Sequence, residues 1–316
     1  MLEVELSDKQ PSAAEEKSNT PKQDILIAGG NGGRTCLYRR TEIFSWEKNA
    51  WVEVSLLNEE HLGASSFIDK NHIFIVGGAQ SKTIEKLDIN QLPLKWKKVF
   101  GKLPFVCGHQ QTVVCQQSGI LHIGGYSYDE QKRSNLICEL RLTSPCSLKK
   151  LCTMPHPRAC SGAEVVYDKV VILGGYDSQL ITDSVLEFDP AKNNYKEMPK
   201  LPFALTEMAT VCWRGEIVVI GGEDKDRKVR NDVYIYNSKT GKVTVLPSML
   251  EKRYDCAAVI TADTIVVMGG WNEKGETLSS VECFTMGTSG WQYLPSMNFA
   301  RSEAAAVVLP PGRKYV

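Results

Sequence analysis

Six times along this chain a short apolar run ends in a glycine doublet. The runs read ILIAGG to Gly30, IFIVGG to Gly78, ILHIGG to Gly125, VVILGG to Gly175, IVVIGG to Gly222 and IVVMGG to Gly270. Successive doublets lie 48, 47, 50, 47 and 48 residues apart. Self-similarity at a fixed period of this size marks a repeat architecture. One repeat cannot bury its apolar face alone, so neighbouring repeats must stack.

Each unit has the same internal order. A run of small and apolar residues, such as Ser161 to Val166, precedes a turn and then the β-branched run with its doublet. A polar loop of variable length follows. A third run ends on Phe44, Leu87, Leu140, Phe188, Tyr236 or Phe284, and a fourth opens with an aromatic in four units, at Trp51, Trp96, Tyr195 and Trp291. Units three and five have Leu148 and Val243 there. These runs are short, β-branched and bounded by Gly, Pro, Asn and Asp, which predicts strands. No helical periodicity of useful length competes with that reading.

Four strands per unit of about fifty residues, with the doublet and the downstream aromatic in register, resembles the kelch family over residues 24–309. The resemblance implies an all-β fold, a six-bladed kelch β-propeller with four antiparallel strands per blade. The first run of each unit is rich in small residues, as at Ala64 to Ser66, Ala257 to Ala258 and Ala304 to Ala306. Small side chains suit strands that converge on a propeller axis. The chain enters at Asp24 on a doublet strand and ends with a first-type run, Met297 to Val308. The C-terminal strand, 302–308, is therefore expected to complete the N-terminal blade against 24–30, which closes the ring and removes a sheet edge. Residues 1–23 read as a disordered acidic, polar tail, and 310–316 as a short C-terminal tail.

Composition sets limits on function. Lys+Arg and Asp+Glu both total 37, so no net field of either sign favours nucleic acid, and no nucleic-acid partner is expected. No apolar run approaches the ~20 residues needed to span a bilayer, and the N-terminus lacks a secretory apolar core. A cytoplasmic location is expected, with the ten cysteines as free thiols. No cysteine pair has metal-knuckle spacing, so neither metal nor cofactor is expected.

Catalytic signatures are absent: the sequence holds no H-E-x-x-H, G-x-S-x-G or phosphate-loop motif. The doublets are read as structural, ending strands where blades pack closely. His72 and His122 lie on or beside doublet strands and are expected to pack in the sheet. His61, His109 and His156 fall near turns between blades. Glu59–Glu60 and the run Glu223 to Lys228 read as solvated loops. Some kelch propellers are enzymes, a copper radical oxidase and a sialic-acid mutarotase among them. A kelch-fold enzyme therefore stands as one alternative, and an actin-binding kelch protein as another.

In a propeller, function resides in loops carried by the rigid ring. The resemblance to kelch substrate adaptors implies that the residue after each doublet, and an arginine before each first strand, share a partner-binding face. The matching residues here are Asn31, Tyr126, Tyr176 and Trp271 after doublets, and Arg158, Arg253 and Arg301 before first strands. Tyr, Trp and Arg are the types enriched in binding hot spots. The expected function is a protein-binding scaffold, holding an extended peptide segment of another protein. The narrower expectation that the resemblance implies is a substrate-recognition module related to cullin–RING ubiquitin ligase adaptors. The BTB and BACK domains of such adaptors have no counterpart in this sequence, so direct cullin binding is not expected and a monomer is. The chain reads either as a stand-alone kelch binder or as a fragment or isoform of an adaptor.

Overall fold

Apolar side chains alternate across each doublet strand, and both faces are buried. In Ile25–Ala28, Ile25 and Ile27 pack toward the last blade, while Leu26 and Ala28 pack toward the second. Strands buried on both faces must lie between two other sheets, and stacking six such sheets about an axis meets that need. The structure is a computed structural model and describes residues 21–32, 38–143, 145–177 and 180–316.

Among these residues there are six four-stranded antiparallel sheets and no helix. Blade two pairs Ser65–Asp69, His72–Val76, Ile84–Asp88 and Trp96–Lys98 in sequence order. Blade three repeats this with Gln111–Cys115, Gly119–Ile123, Leu136–Arg141 and Ser147–Thr153. Blade four comprises Gly162–Val166, Lys169–Leu173, Val185–Asp189 and Asn194–Met198. Blade five comprises Ala209–Trp213, Glu216–Ile220, Val233–Tyr236 and Val243–Leu246. Blade six comprises Ala257–Thr261, Thr264–Met268, Val281–Thr285 and Gln292–Leu294.

Blade one takes three strands from the N-terminal side, Ile25–Ala28, Thr41–Ser45 and Ala50–Glu53, and its innermost strand, Ala305–Val308, from the C-terminal side. The register runs from Ile25 opposite Val308 to Ala28 opposite Ala305, and a further bridge joins Asn31 to Ser302. The closure expected from the order of runs is therefore present. The innermost strands of successive blades touch in cyclic order, with Ala305–Val308 contacting both blade six and blade two. Their small residues line the axial channel.

The tryptophan that opens the fourth strand joins blades one, two and six each to the blade before it. Trp51 of blade one donates from Nε1 to Pro295 O at 2.8 Å, and Trp291 of blade six to Pro247 O at 2.7 Å. Trp96 of blade two donates to Thr41 Oγ1 at 3.1 Å. All three rings are buried. Of the expected N-terminal tail, residues 1–20 lie outside the described residues, while Gln23 N donates to Thr261 Oγ1 at 2.9 Å. The segment 310–316 folds back on the ring and buries Tyr315 in the cluster of Ile89 and Leu94.

Candidate functional site

Two loop classes meet on one face. The residue after each doublet pairs through its backbone with a residue in the loop that leads into a first strand. Asn31 pairs with Ser302, Tyr126 with Gly108, Tyr176 with Ala159, Glu223 with Thr206 and Trp271 with Tyr254. In blade two, Ala79 N donates to Leu62 O at 2.8 Å. The arrangement thus brings Asn31, Tyr126, Tyr176 and Trp271 to equivalent positions on one face, and each is partly exposed. Tyr128 and Tyr254 add two more partly exposed rings. Arg133 stacks on Tyr176, with its guanidinium carbon 4.3 Å from the ring centroid, and Arg227 covers the same ring at 5.4 Å.

The residues immediately following those loop partners are Gly63, His109, Cys160, Glu207, Asp255 and Glu303, one per blade. All six have positive φ, between 50° and 61°. Their backbones form a closed ring of hydrogen bonds. His109 N donates to Gly63 O at 2.8 Å, Cys160 N to His109 O at 3.0 Å and Glu207 N to Cys160 O at 3.0 Å. Asp255 N donates to Glu207 O at 2.9 Å, Glu303 N to Asp255 O at 2.9 Å, and Gly63 N to Glu303 O at 3.2 Å. This collar frames a mouth of about 110 Å³ on the propeller axis. Below it lies a cavity of about 320 Å³ lined by the innermost strands, including Ser66, Gln111, Glu164 and Thr210.

Three of the six collar side chains are carboxylates, and their surroundings oppose ionisation. Burial, reinforced by the charge of Glu207, pushes Glu303 up to about 7. Burial and then repulsion from Glu207, Glu303 and Glu223 hold Asp255 well above the carboxylate range. Burial and then the neighbouring Glu223 raise Glu207. Burial raises the thiol of Cys160 and lowers the imidazole of His109, whose Nε2 stands 3.7 Å from Glu303 Oε2. Glu164, deeper in the channel, is also pushed up to about 7 by burial, although Thr210 Oγ1 donates to it at 2.8 Å.

The arginines differ from expectation. Arg158, Arg253 and Arg301 are not exposed on this face; each is 0–1 % exposed and turned into its own blade. Arg253 Nη1 donates to Gly269 O at 2.7 Å, and Nη2 to Glu282 Oε1 at 2.6 Å. Arg301 does the same with Gly29 O at 3.0 Å and Glu42 Oε2 at 2.6 Å. Arg158 donates to Gly174 O at 3.2 Å and to Ser184 O at 2.9 Å. The physical reason lies in the doublets. The first glycine turns its carbonyl inward at positive φ, and a long donor two residues before the collar is the group that reaches it. His61 occupies the equivalent place in blade two, with Nδ1 2.6 Å from Gly77 O and Nε2 3.2 Å from Glu85 Oε1.

The doublet itself is locked from the next blade. Gly270 N donates to Arg301 O at 2.9 Å, and Gly30 N to His61 O at 3.0 Å. A Cβ on Gly269, which has φ +61°, would lie 2.1 Å from Arg301 O. Glycine is therefore required by a neighbouring backbone, which agrees with the structural reading of the doublets.

Other expectations fare unevenly. His122 packs in the sheet at 2 % exposure with both ring nitrogens unpartnered. His72 is partly exposed, 4.0 Å from Asp88. Glu59 is not a solvated loop residue: Ser81 and Thr83 donate to it at 2.9 and 3.0 Å, and Lys98 pairs with it. Asp224 is likewise buried, although Lys225 to Lys228 are exposed. The nine cysteines among the described residues are free thiols. Among those residues no His, Cys, Asp or Glu side chains are grouped so as to hold a metal ion.

Sequence reasoning passed over the collar acids and the buried third-strand glutamates. Glu42, Glu85 and Glu282 recur one pleat before the third-strand aromatic or leucine, and each ties down the preceding loop. Glu282, for example, accepts from Leu250 N at 2.6 Å and Glu251 N at 3.1 Å. Their register was visible. Their burial was not, because a lone glutamate in a strand ordinarily faces solvent.

Comparison with known proteins agrees with this geometry. The family model for the kelch motif matches residues 157–202, 204–250 and 252–298. Kelch-like protein 35 of Mus musculus is 22% identical over 233 residues, covering 72% of this chain and 38% of that protein. Kelch-like protein 41 of Homo sapiens is 30% identical over 132 residues, covering 40% of this chain and 22% of that protein. The chain thus spans well under half the length of these curated relatives. Among solved structures, that titled "Structure of YjhT" superposes with a TM-score of 0.69 at 15% identity, covering 79% of this chain and 88% of that one, a likeness of fold. The chain carries three matches to the kelch motif, and it resembles the kelch domain of the Kelch-like proteins.

Proposed function

We propose that this propeller is a protein-binding scaffold, and that its partner lies across the face where the post-doublet loops meet the loops between blades. The observation that carries this reading is the set of partly exposed rings, Tyr126, Tyr176, Tyr254 and Trp271, placed around the axial mouth. Their backbones are fixed by bridges between adjacent loops. Aromatic anchors on a rigid frame give up little conformational freedom on binding, which is what favours affinity. Arg158, Arg253 and Arg301 drop out of the proposed site because their guanidiniums are enclosed, and Asn31 remains at its edge.

The likeness to Kelch-like proteins favours binding over catalysis, and within that class a substrate-recognition role. Peptides selected by display of a random library on the intact protein provide the test. Tyr176→Ala and Trp271→Ala should each weaken selected peptides by about 1–2 kcal/mol while leaving the melting temperature within a few degrees. Selected peptides that bind both variants as tightly as the parent would refute this face.

A further inference from the structure

The collar contains three carboxylates and no cation. Glu207, Asp255 and Glu303 line the mouth, and no lysine or arginine lines it among the described residues. The nearest candidates are engaged elsewhere. Arg227 pairs with Glu223 at 2.6 Å, and Arg158, Arg253 and Arg301 point into their blades. Donors to these acids are few, and Glu207 has the thiol of Cys160. Asp255 has no side-chain hydrogen bond among the described residues. Independently of the acids, Gln110 lines both the mouth and the channel at 2 % exposure, and its Oε1 is unpartnered. A buried acceptor without a donor costs about 1–3 kcal/mol, so a ligand that brings donors into this opening is favoured over one that brings acceptors.

We infer that the axial mouth receives a lysine or arginine side chain from an extended segment of the bound partner. This deepens the reading of the face given above and rests on it. Lysine and arginine carry donors and no acceptor, and their unbranched stems can follow a narrow opening while the charged head reaches polar groups beyond it. The rings of Tyr126, Tyr254 and Trp271 border the approach, and aromatic faces attract cations, whereas the Tyr176 ring already carries Arg133 and Arg227. The arrangement disfavours a metal ion as occupant, because the acids are not grouped for coordination.

The mouth also makes the interaction pH-dependent. The titratable and charged groups facing it are Glu207, Asp255, Glu303, Glu223, His109, Cys160, Tyr128, Tyr254 and Arg227. With Glu303 near 7, part of the negative charge that a cation seeks develops as pH rises through neutrality, and burial shifts Asp255 and Glu207 in the same upward direction.

Random peptides displayed on phage, selected on the intact protein at pH 8 and resynthesised with a fluorescent label, are the probe. Selected sequences should be enriched in Lys or Arg. Replacing that residue with norleucine or citrulline should lower affinity at least tenfold, as should the triple variant Glu207→Gln, Asp255→Asn, Glu303→Gln. Combining the peptide and protein changes should cost little more than either alone, the mark of a direct pairing. Affinity should fall from pH 8 to pH 6 for the basic peptide and stay level for its neutral analogue. Asp255→Asn alone gives the same comparison if the triple variant folds poorly. Peptides that lack a basic residue but still need Trp271 would overturn the mouth inference and leave the face standing. Indifference to both Trp271→Ala and the triple variant, or a selection yielding no binder, would count against both.

Discussion

Removing Arg253 should destabilise the propeller without weakening a partner held on the face. Its guanidinium is fully buried, donates to Gly269 O and Ser280 O, and sits 2.6 Å from a carboxylate of Glu282 that is itself fully buried. Arg253→Ala leaves that carboxylate without its counter-charge, and breaking a buried pair from one side costs about 3–5 kcal/mol. At ~2 °C per kcal/mol for a domain of this size, the melting temperature should drop by roughly 6–10 °C. Arg301→Ala should behave alike through Glu42. Arg158→Ala should cost less, about 1.5–3 kcal/mol, because it loses charged hydrogen bonds to carbonyls and Ser184 but strands no carboxylate. Replacing both partners, as Arg253→Met with Glu282→Gln, should recover part of the loss, since the amide oxygen still accepts from Leu250 N. The assays are thermal unfolding and affinity for a selected peptide, measured well below the transition. An unchanged melting temperature with lost affinity would refute the assignment and return these arginines to the binding surface.

Two further outcomes follow from burial and closure. His122 is kept neutral down to about 4 by burial, whereas an unfolded histidine protonates near 6.5. The unfolded chain therefore holds the extra proton between those values, and stability is lost as pH falls from about 6.5 to 4, by about 3 kcal/mol from this residue. His122→Leu should flatten that part of the stability–pH curve measured by urea unfolding, and an unchanged slope would show that the imidazole is solvated. Deleting residues 298–316 removes the innermost strand of blade one with the buried Ala305, Val307, Leu309 and Tyr315. At roughly 1.5–3 kcal/mol per large buried side chain, that loss rivals a domain's ~5–15 kcal/mol of stability. Calorimetry of the truncated chain should show no cooperative transition near the parent's, and one that melts like the parent would sink the closure.

The ring was legible because repetition multiplies weak signals. A single glycine doublet says little, but six at a common spacing, each followed in register by a buried aromatic or leucine, fix strand order, blade number and closure. The arginines were legible as a recurring position, and their direction was not. An arginine two residues before the collar is equally well placed to reach outward to a partner or inward to a glycine carbonyl. The choice depends on where that carbonyl points, which positive φ at the doublet determines and a list of residues does not display. The inward orientation then explains the third-strand glutamates. Once Arg253 and Arg301 are enclosed, each needs a counter-charge, and Glu282 and Glu42 stand within 2.6 Å of them. The collar acids were hidden for the opposite reason. Each lies two residues before a first strand, in a loop where an isolated Glu or Asp reads as solvent-facing. Convergence of six blades on one axis brings Glu207, Asp255 and Glu303, far apart in the chain, onto one rim. The same symmetry that made the fold readable thus concentrates acidic groups that no single repeat reveals.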